Sequence, residues 1–308
     1  MFSTMHVNVD KWITTWLFNL QRPYLNAWID PPKPDCESGA REPSAIEFTP
    51  LRRRRRYRIE RFEFDSPLAS GYSVNDHVGG IVLTPNGPVR GTVLAIHGWM
   101  AHGELELEGM GLLFALKGYR VVLPMLPFHM TRCVPGTFNG QLVVSPQAKL
   151  MGIAFDQALA EIRQLCSYLR AEFDGPLVLA GVSLGGLIAA HALQHPLPID
   201  RAYVVIAGAD LADTVFESFL LEYLRQALIA LRLSEAEVRS RLERFDPARV
   251  EPAIDRSLIR LHGGLYDPVF TPRQVIRLGQ SWGIEPQFHP AGHVSILASI
   301  RKVFSDLP

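Results

Sequence analysis

From residue 57 onward, short apolar runs alternate with stretches of helical periodicity, and this alternation restricts the fold more than any other feature of the chain. "YRIERFEFDS" alternates apolar and polar residues, as a half-buried strand does. "GGIVLTP" and "GTVLAIHG" follow, separated by the turn signal "PNGP". "YRVVLPM", "PLVLAGV", "RAYVVIAG", "SLIRLHGG" and "EPQFHP" are the later apolar runs. Between them lie helical patterns: "LEGMGLLFALKG", closed by Gly118, residues 147–170, "SLGGLIAAHALQH", "TPRQVIRLGQSWG" and a final helix. Neighbouring parallel strands need a crossover, and helices supply it. The pattern predicts a doubly wound, mostly parallel α/β sheet of about eight strands, with helices on both faces. Apolar residues at 47% of the chain are enough to fill such a core.

The first 56 residues follow a different pattern. Trp12, Ile13, Trp16, Leu17 and Leu20 share one face at helical spacing. A connector rich in Pro, Ser and Gly follows, and then seven arginines fall within residues 52–61. The expected organisation is an N-terminal helical extension and basic linker at 1–56 and one α/β domain at 57–308. Residues 210–250 form a short helical insert within that domain. An aromatic helix before a basic run is also the pattern of a membrane-surface anchor. This helix lacks the Lys/Arg-rich polar face that strong interfacial binding needs, so packing on the main domain is the expectation.

Composition removes several other classes. Lys+Arg and Asp+Glu are 31 each, so no net field draws the chain to nucleic acid. Cys36, Cys133 and Cys166 are odd in number, and their spacings of 97 and 33 fit no metal or redox motif. They are expected as reduced structural thiols. His102, His129 and the glutamates Glu104, Glu106 and Glu108 show no metal-ligand spacing either, so no metal or cofactor is expected. No apolar run reaches membrane-spanning length, and no signal-peptide pattern opens the chain. The expectation is a soluble cytoplasmic protein.

In open α/β sheets, sites form at the carboxyl ends of strands. The sharpest signal there is G-V-S-L-G at 181–185, between the strand "PLVLAGV" and a helix. A serine at so tight a turn needs glycines where neighbouring chain passes without room for a Cβ. The turn also points a helix N-terminus at the hydroxyl, where free N–H groups favour negative charge. Ser183 is therefore the candidate nucleophile. Serine needs a base, and the base needs a carboxylate to orient it. In this architecture the chain order is Ser, Asp or Glu, His. His262 and His289 lie inside strands, whereas His293 follows the last strand on a loop and is the candidate base. Asp267, just past "LIRLHGG", is the candidate orienter, with Asp210 after the preceding strand as its rival. The N–H groups of Leu184 and of Trp99 or Met100 are candidate oxyanion donors. His97 is expected to be structural. His129, Phe128 and Met100 are candidate substrate contacts, and Trp99, Phe128, Phe216 and Phe219 would form an apolar pocket if they line the site.

With these residues in order, the chain resembles the α/β-hydrolase superfamily, as a serine esterase- or lipase-like member. The matching pieces are "HGWM" at 97–100, "GVSLGG" at 181–186, "GLYDPVF" at 264–270 and "AGHVSI" at 291–296, spread over roughly residues 75–305. "LPFH" at 126–129 also resembles a subgroup of these hydrolases. The resemblance implies Ser183 as nucleophile, Asp267 as orienter, His293 as base, Leu184 and Trp99 as oxyanion donors, and a lid at the 210–250 insert. The implied function is a serine hydrolase that cleaves small-molecule carboxylic esters through an acyl-enzyme. Thioesterase, lipase and acyltransferase share that chemistry. A non-catalytic or membrane-associated binding protein on the same fold is the alternative from another class.

Overall fold

The computed structural model describes Asp10, Trp12, Ile13, Thr15, Trp16 and residues 19–308. Leu17, expected on the apolar face of the first helix, lies outside the described residues. Nine strands form the main sheet: β1 (Glu47–Arg53), β2 (Tyr57–Asp65), β3 (His77–Pro85), β4 (Thr92–Ile96), β5 (Arg120–Pro124), β6 (Leu177–Val182), β7 (Arg201–Val205), β8 (Ile259–Gly264) and β9 (Gln287–His289). Their spatial order is β9-β8-β7-β6-β4-β5-β3-β2-β1. Strands β4 to β9 run parallel to one another, while β1, β2 and β3 pair antiparallel and β3 joins β5 antiparallel.

The parallel strands are apolar throughout because both faces are covered. Leu94, Ile96, Leu179 and Val204 point into one hydrophobic layer, and their chain neighbours Val93, Ala95, Val178 and Val205 point into the other. Helices α1 (Glu104–Leu116) and the short α8 (Ile300–Val303) cover the second face, where Phe114 and Phe304 meet edge to face at 4.7 Å. Helices α2 (Ala148–Glu172), α3 (Leu184–Ala192) and α7 (Pro272–Trp282) cover the first face. Between β7 and β8 the chain forms α4 (Leu211–Glu217), α5 (Glu222–Ala230) and α6 (Glu235–Leu242).

Two elements differ from the sequence reading. Residues 47–53 fall within the stretch read as linker, yet β1 is the outer strand of the sheet, pairing with β2 through a bulge between Pro50 and Arg52. As an edge strand it buries no full face and tolerates a proline, so the period-2 signal is absent. The basic run is then part strand and part turn, and Arg52 and Arg54 both pair with Glu108 of α1. The final helix is shorter than expected: Ser295–Ser299 is a 3₁₀ segment that runs into the single turn of α8. Among the described residues, no helix is long and apolar enough to cross a membrane.

Candidate active site

Ser183 sits between the end of β6 and the first turn of α3, with φ 57° and ψ −120°. A non-glycine residue in this region is strained, and it persists only where its surroundings fix it. Here the surroundings are backbone. A Cβ on Gly181 would overlap the carbonyl oxygen of Gly185. A Cβ on Gly185 would overlap the carbonyl oxygens of Ile96 and His97. The Ser183 N–H donates to the Val205 carbonyl at 2.9 Å, which ties the turn to β7. The glycines thus allow three strand ends to close on one serine. Ile206, just past β7, is also left-handed at φ 45°, a rare state for a β-branched residue.

The Ser183 Oγ lies 2.8 Å from His293 Nε2. His293 Nδ1 lies 2.8 and 3.0 Å from the two Asp267 carboxylate oxygens. An ionised carboxylate only accepts, so Nδ1 carries the proton toward Asp267 and Nε2 is left to accept from the serine hydroxyl. Asp267 is buried and its Oδ1 also accepts from the N–H groups of Val269 and Phe270, at 2.8 and 3.0 Å. These bonds hold the carboxylate in place. Burial opposes a charge on His293, but the adjacent Asp267 carboxylate outweighs it, with Asp10 adding to the effect, and the imidazole pKa lies above the ordinary histidine value. Asp210, the rival orienter, points elsewhere and pairs with Arg277 of α7. His262 and His289 bond each other at 3.0 Å, away from Ser183.

The loop after β4 runs beside the serine: a Cβ on Gly98 would lie 3.5 Å from that of Ser183. His97 anchors this loop. Its Nδ1 donates to the Gly98 carbonyl at 2.8 Å and its Nε2 accepts the Leu126 N–H at 2.9 Å. Burial depresses its pKa to about 4, so it is a neutral strut between two loops. The Trp99 indole N–H donates to the Gly140 carbonyl at 2.9 Å, fixing that side chain. Leu184 is the first residue of α3, where a helix has no internal acceptor for the N–H. Among the described residues, no group of three or more His, Cys, Asp or Glu is arranged to hold a metal ion.

A cavity of about 880 Å³ opens onto Ser183 and His293, and Trp99, Met100 and Leu184 line it. Four of the residues expected there are not among its lining. Phe128 is buried behind it, with φ 61°, its N–H on Asn75 and its ring against Tyr72. His129 is buried perpendicular to His97 at 5.0 Å and bonds the Pro127 carbonyl. Phe216 packs beneath Arg239. Phe219 is half exposed. The "LPFH" segment instead forms the foundation of the site. Arg132, fully buried just after it, bonds Glu161 through two nitrogens and the carbonyls of Asn75 and Met125.

One residue at the site had no local sequence signal. Asp10 is buried, and its Oδ1 accepts the N–H of Val294 at 3.1 Å and of Ser295 at 2.9 Å. These are the two residues after His293. Ile13 and Trp16 of the same segment line the cavity, although Trp12 and Trp16 are half or more exposed. The segment's apolar spacing predicted packing on the main domain but not this carboxylate contact.

The fold is the α/β-hydrolase fold, shared with solved structures at low sequence identity. Acetyl xylan esterase 1 from Thermoanaerobacterium sp. superposes with a TM-score of 0.63 at 14% identity, over 91% of this chain and 92% of that one. An acetyl xylan esterase from Paenibacillus sp. R4 gives 0.60 at 15% identity, over 86% and 89%. A cold-adapted esterase from an Arctic intertidal metagenomic library gives 0.53 at 16%, over 82% and 92%. No protein-family model and no curated sequence matches the chain.

Proposed function

We propose that this protein is a serine hydrolase that cleaves small-molecule carboxylic esters through an acyl-enzyme. The observation that carries the reading is the continuous hydrogen-bonded line Ser183–His293–Asp267 at the wall of an apolar cavity. His293 Nε2 takes the hydroxyl proton as Ser183 Oγ attacks the ester carbonyl. Asp267 keeps Nδ1 protonated and stabilises the imidazolium that forms. The Leu184 and Trp99 N–H groups hold the oxyanion, a contribution worth on the order of 100–1,000-fold per donor. His293 then protonates the departing alcohol, and afterwards activates the water that releases the acid. The three superposed esterases, two of them named for acetyl xylan, support ester hydrolysis as the activity.

A fluorophosphonate probe should attach to Ser183 and to no other serine, as read by peptide mass spectrometry. Purified protein should hydrolyse p-nitrophenyl esters, and Ser183→Ala should abolish both. Full ester hydrolysis by Ser183→Ala would overturn the proposal. Thioesterase, lipase and acyltransferase activities use the same residues, and a panel of leaving groups separates them. The proposal includes a lid at 211–242, whose helices border the cavity, and a cytoplasmic location.

A further inference from the structure

The cavity draws its walls from both layers of the molecule. On one side of the sheet it is bounded by Ala180, Ile206, Met110, Leu113 and Phe304. On the other it is bounded by Phe155, Leu187, Leu224, Leu228 and Val238, the last three from α5 and α6. Ser183 stands at the strand end, and apolar residues of both layers line the cavity it opens onto, which we read as two lobes. Besides Ser183 and His293, the polar wall groups are Ser145, Thr214, the indoles of Trp16 and Trp99, and the exposed His102, Glu106 and Arg241. The Thr214 hydroxyl accepts from Gln274, and the Ser145 hydroxyl accepts the Gln147 N–H.

Resting on the serine-hydrolase reading, we infer that the substrate is an ester apolar on both sides of its carbonyl: a long acyl chain joined to a long-chain or otherwise apolar alcohol. An acetyl group would leave one lobe empty and forgo its burial. A sugar alcohol would bring hydroxyls into a wall with few partners for them, and each buried unpaired hydroxyl is costly. Two apolar chains fill both lobes, with the carbonyl the only polar group that has to meet Ser183 and the oxyanion donors.

The test is a grid of alkyl alkanoates, with acyl and alcohol chains lengthened independently and kcat/KM measured below aggregation. The rate should rise by about fourfold per added methylene on either side until the lobe is full. Gly109 lines the cavity beside Met110, and a Cβ there would meet open space. Gly109→Leu should shorten the preferred chain on one side of the ester, and Val238→Phe on the other. Leu113→Trp and Ala148→Phe, at further lining positions, serve where either variant fails to fold. Highest rates for acetates or for methyl esters, or both variants shortening the same side, would overturn the proposal. Binding of dioctyl ether to Ser183→Ala protein, read by displacement of an apolar dye, probes the cavity without chemistry. Ether binding without turnover of any ester would keep the two-sided cavity and overturn the hydrolase reading, whereas no ether binding would overturn the two-sided cavity itself.

Discussion

The two ends of the Ser183–His293 hydrogen bond are built in opposite ways. At the serine end, everything is backbone at close range. Glycines at 181 and 185 let β6, α3 and the β4 loop touch, and no side chain is asked to hold the turn. At the histidine end, a loop is held by side chains from distant parts of the chain. Asp267 reaches Nδ1 from 26 residues away, and Asp10 reaches the following N–H groups from 284 and 285 residues away. A steric turn has little freedom to relax and fails all at once. A loop held by carboxylates can lose one support and keep part of its function.

Perturbing the serine end should give the largest effects. Ser183→Ala should cut kcat on the order of a million-fold while leaving the thermal melt intact. Gly181→Ala and Gly185→Ala drive a Cβ into backbone that cannot move aside, so these variants should unfold or melt far below the parent, as read by circular dichroism.

The histidine end should respond in steps. Asp267→Asn should lower kcat by on the order of 10⁴ by favouring the wrong tautomer. It should also move the acid limb of the kcat/KM profile to lower pH. The sign follows from the cause: Asp267 holds the His293 pKa above 6.5, and the base must be neutral to act, so removing the carboxylate lets His293 become neutral at lower pH. Asp10→Ala should lower stability by about 1–3 kcal/mol, because the Val294 and Ser295 N–H groups lose their acceptor. Its kcat should fall by roughly tenfold with KM little changed, since a loosened loop costs positioning rather than binding. Truncation of KM and kcat together would show that the first helix acts mainly through the cavity wall.

The smallest effect should come from the neutral struts. His97 and His262 are each depressed to about 4, while the unfolded chain binds their protons near 6.5. The unfolded state therefore takes up more protons between those values, and stability should fall as pH drops from about 6.5 to about 4. Denaturant titrations at stepped pH measure this, and His97→Gln should flatten part of the slope.

What could be read from sequence follows the same division. The elbow was legible because its constraint is local: a strand, two glycines and a helix within a dozen residues. Asp267 and His293 were legible as strand-end residues in a fixed order, and Asp210, the rival to Asp267, pairs with Arg277 instead. Phe128 and His129 misled because a residue after a strand end can turn inward as readily as toward the cavity. Here a positive φ at 128 and a bond to Asn75 turn it inward. Strand β1 was hidden by its edge position, where a sheet needs no alternating pattern. Asp10 was hidden because its partner is a pair of backbone N–H groups, which leave no mark in composition or spacing.

The Asp10 contact also imposes an order in time. Ser295 is made 285 residues after Asp10. At about 5–20 residues per second, this separation is tens of seconds. In the later part of that interval Ser183 and its elbow are already made, but the loop that carries His293 is not. The contact of Asp10 with the Val294 and Ser295 N–H groups therefore forms only after the strands and the elbow have been made, so the His293 loop gains this carboxylate support last.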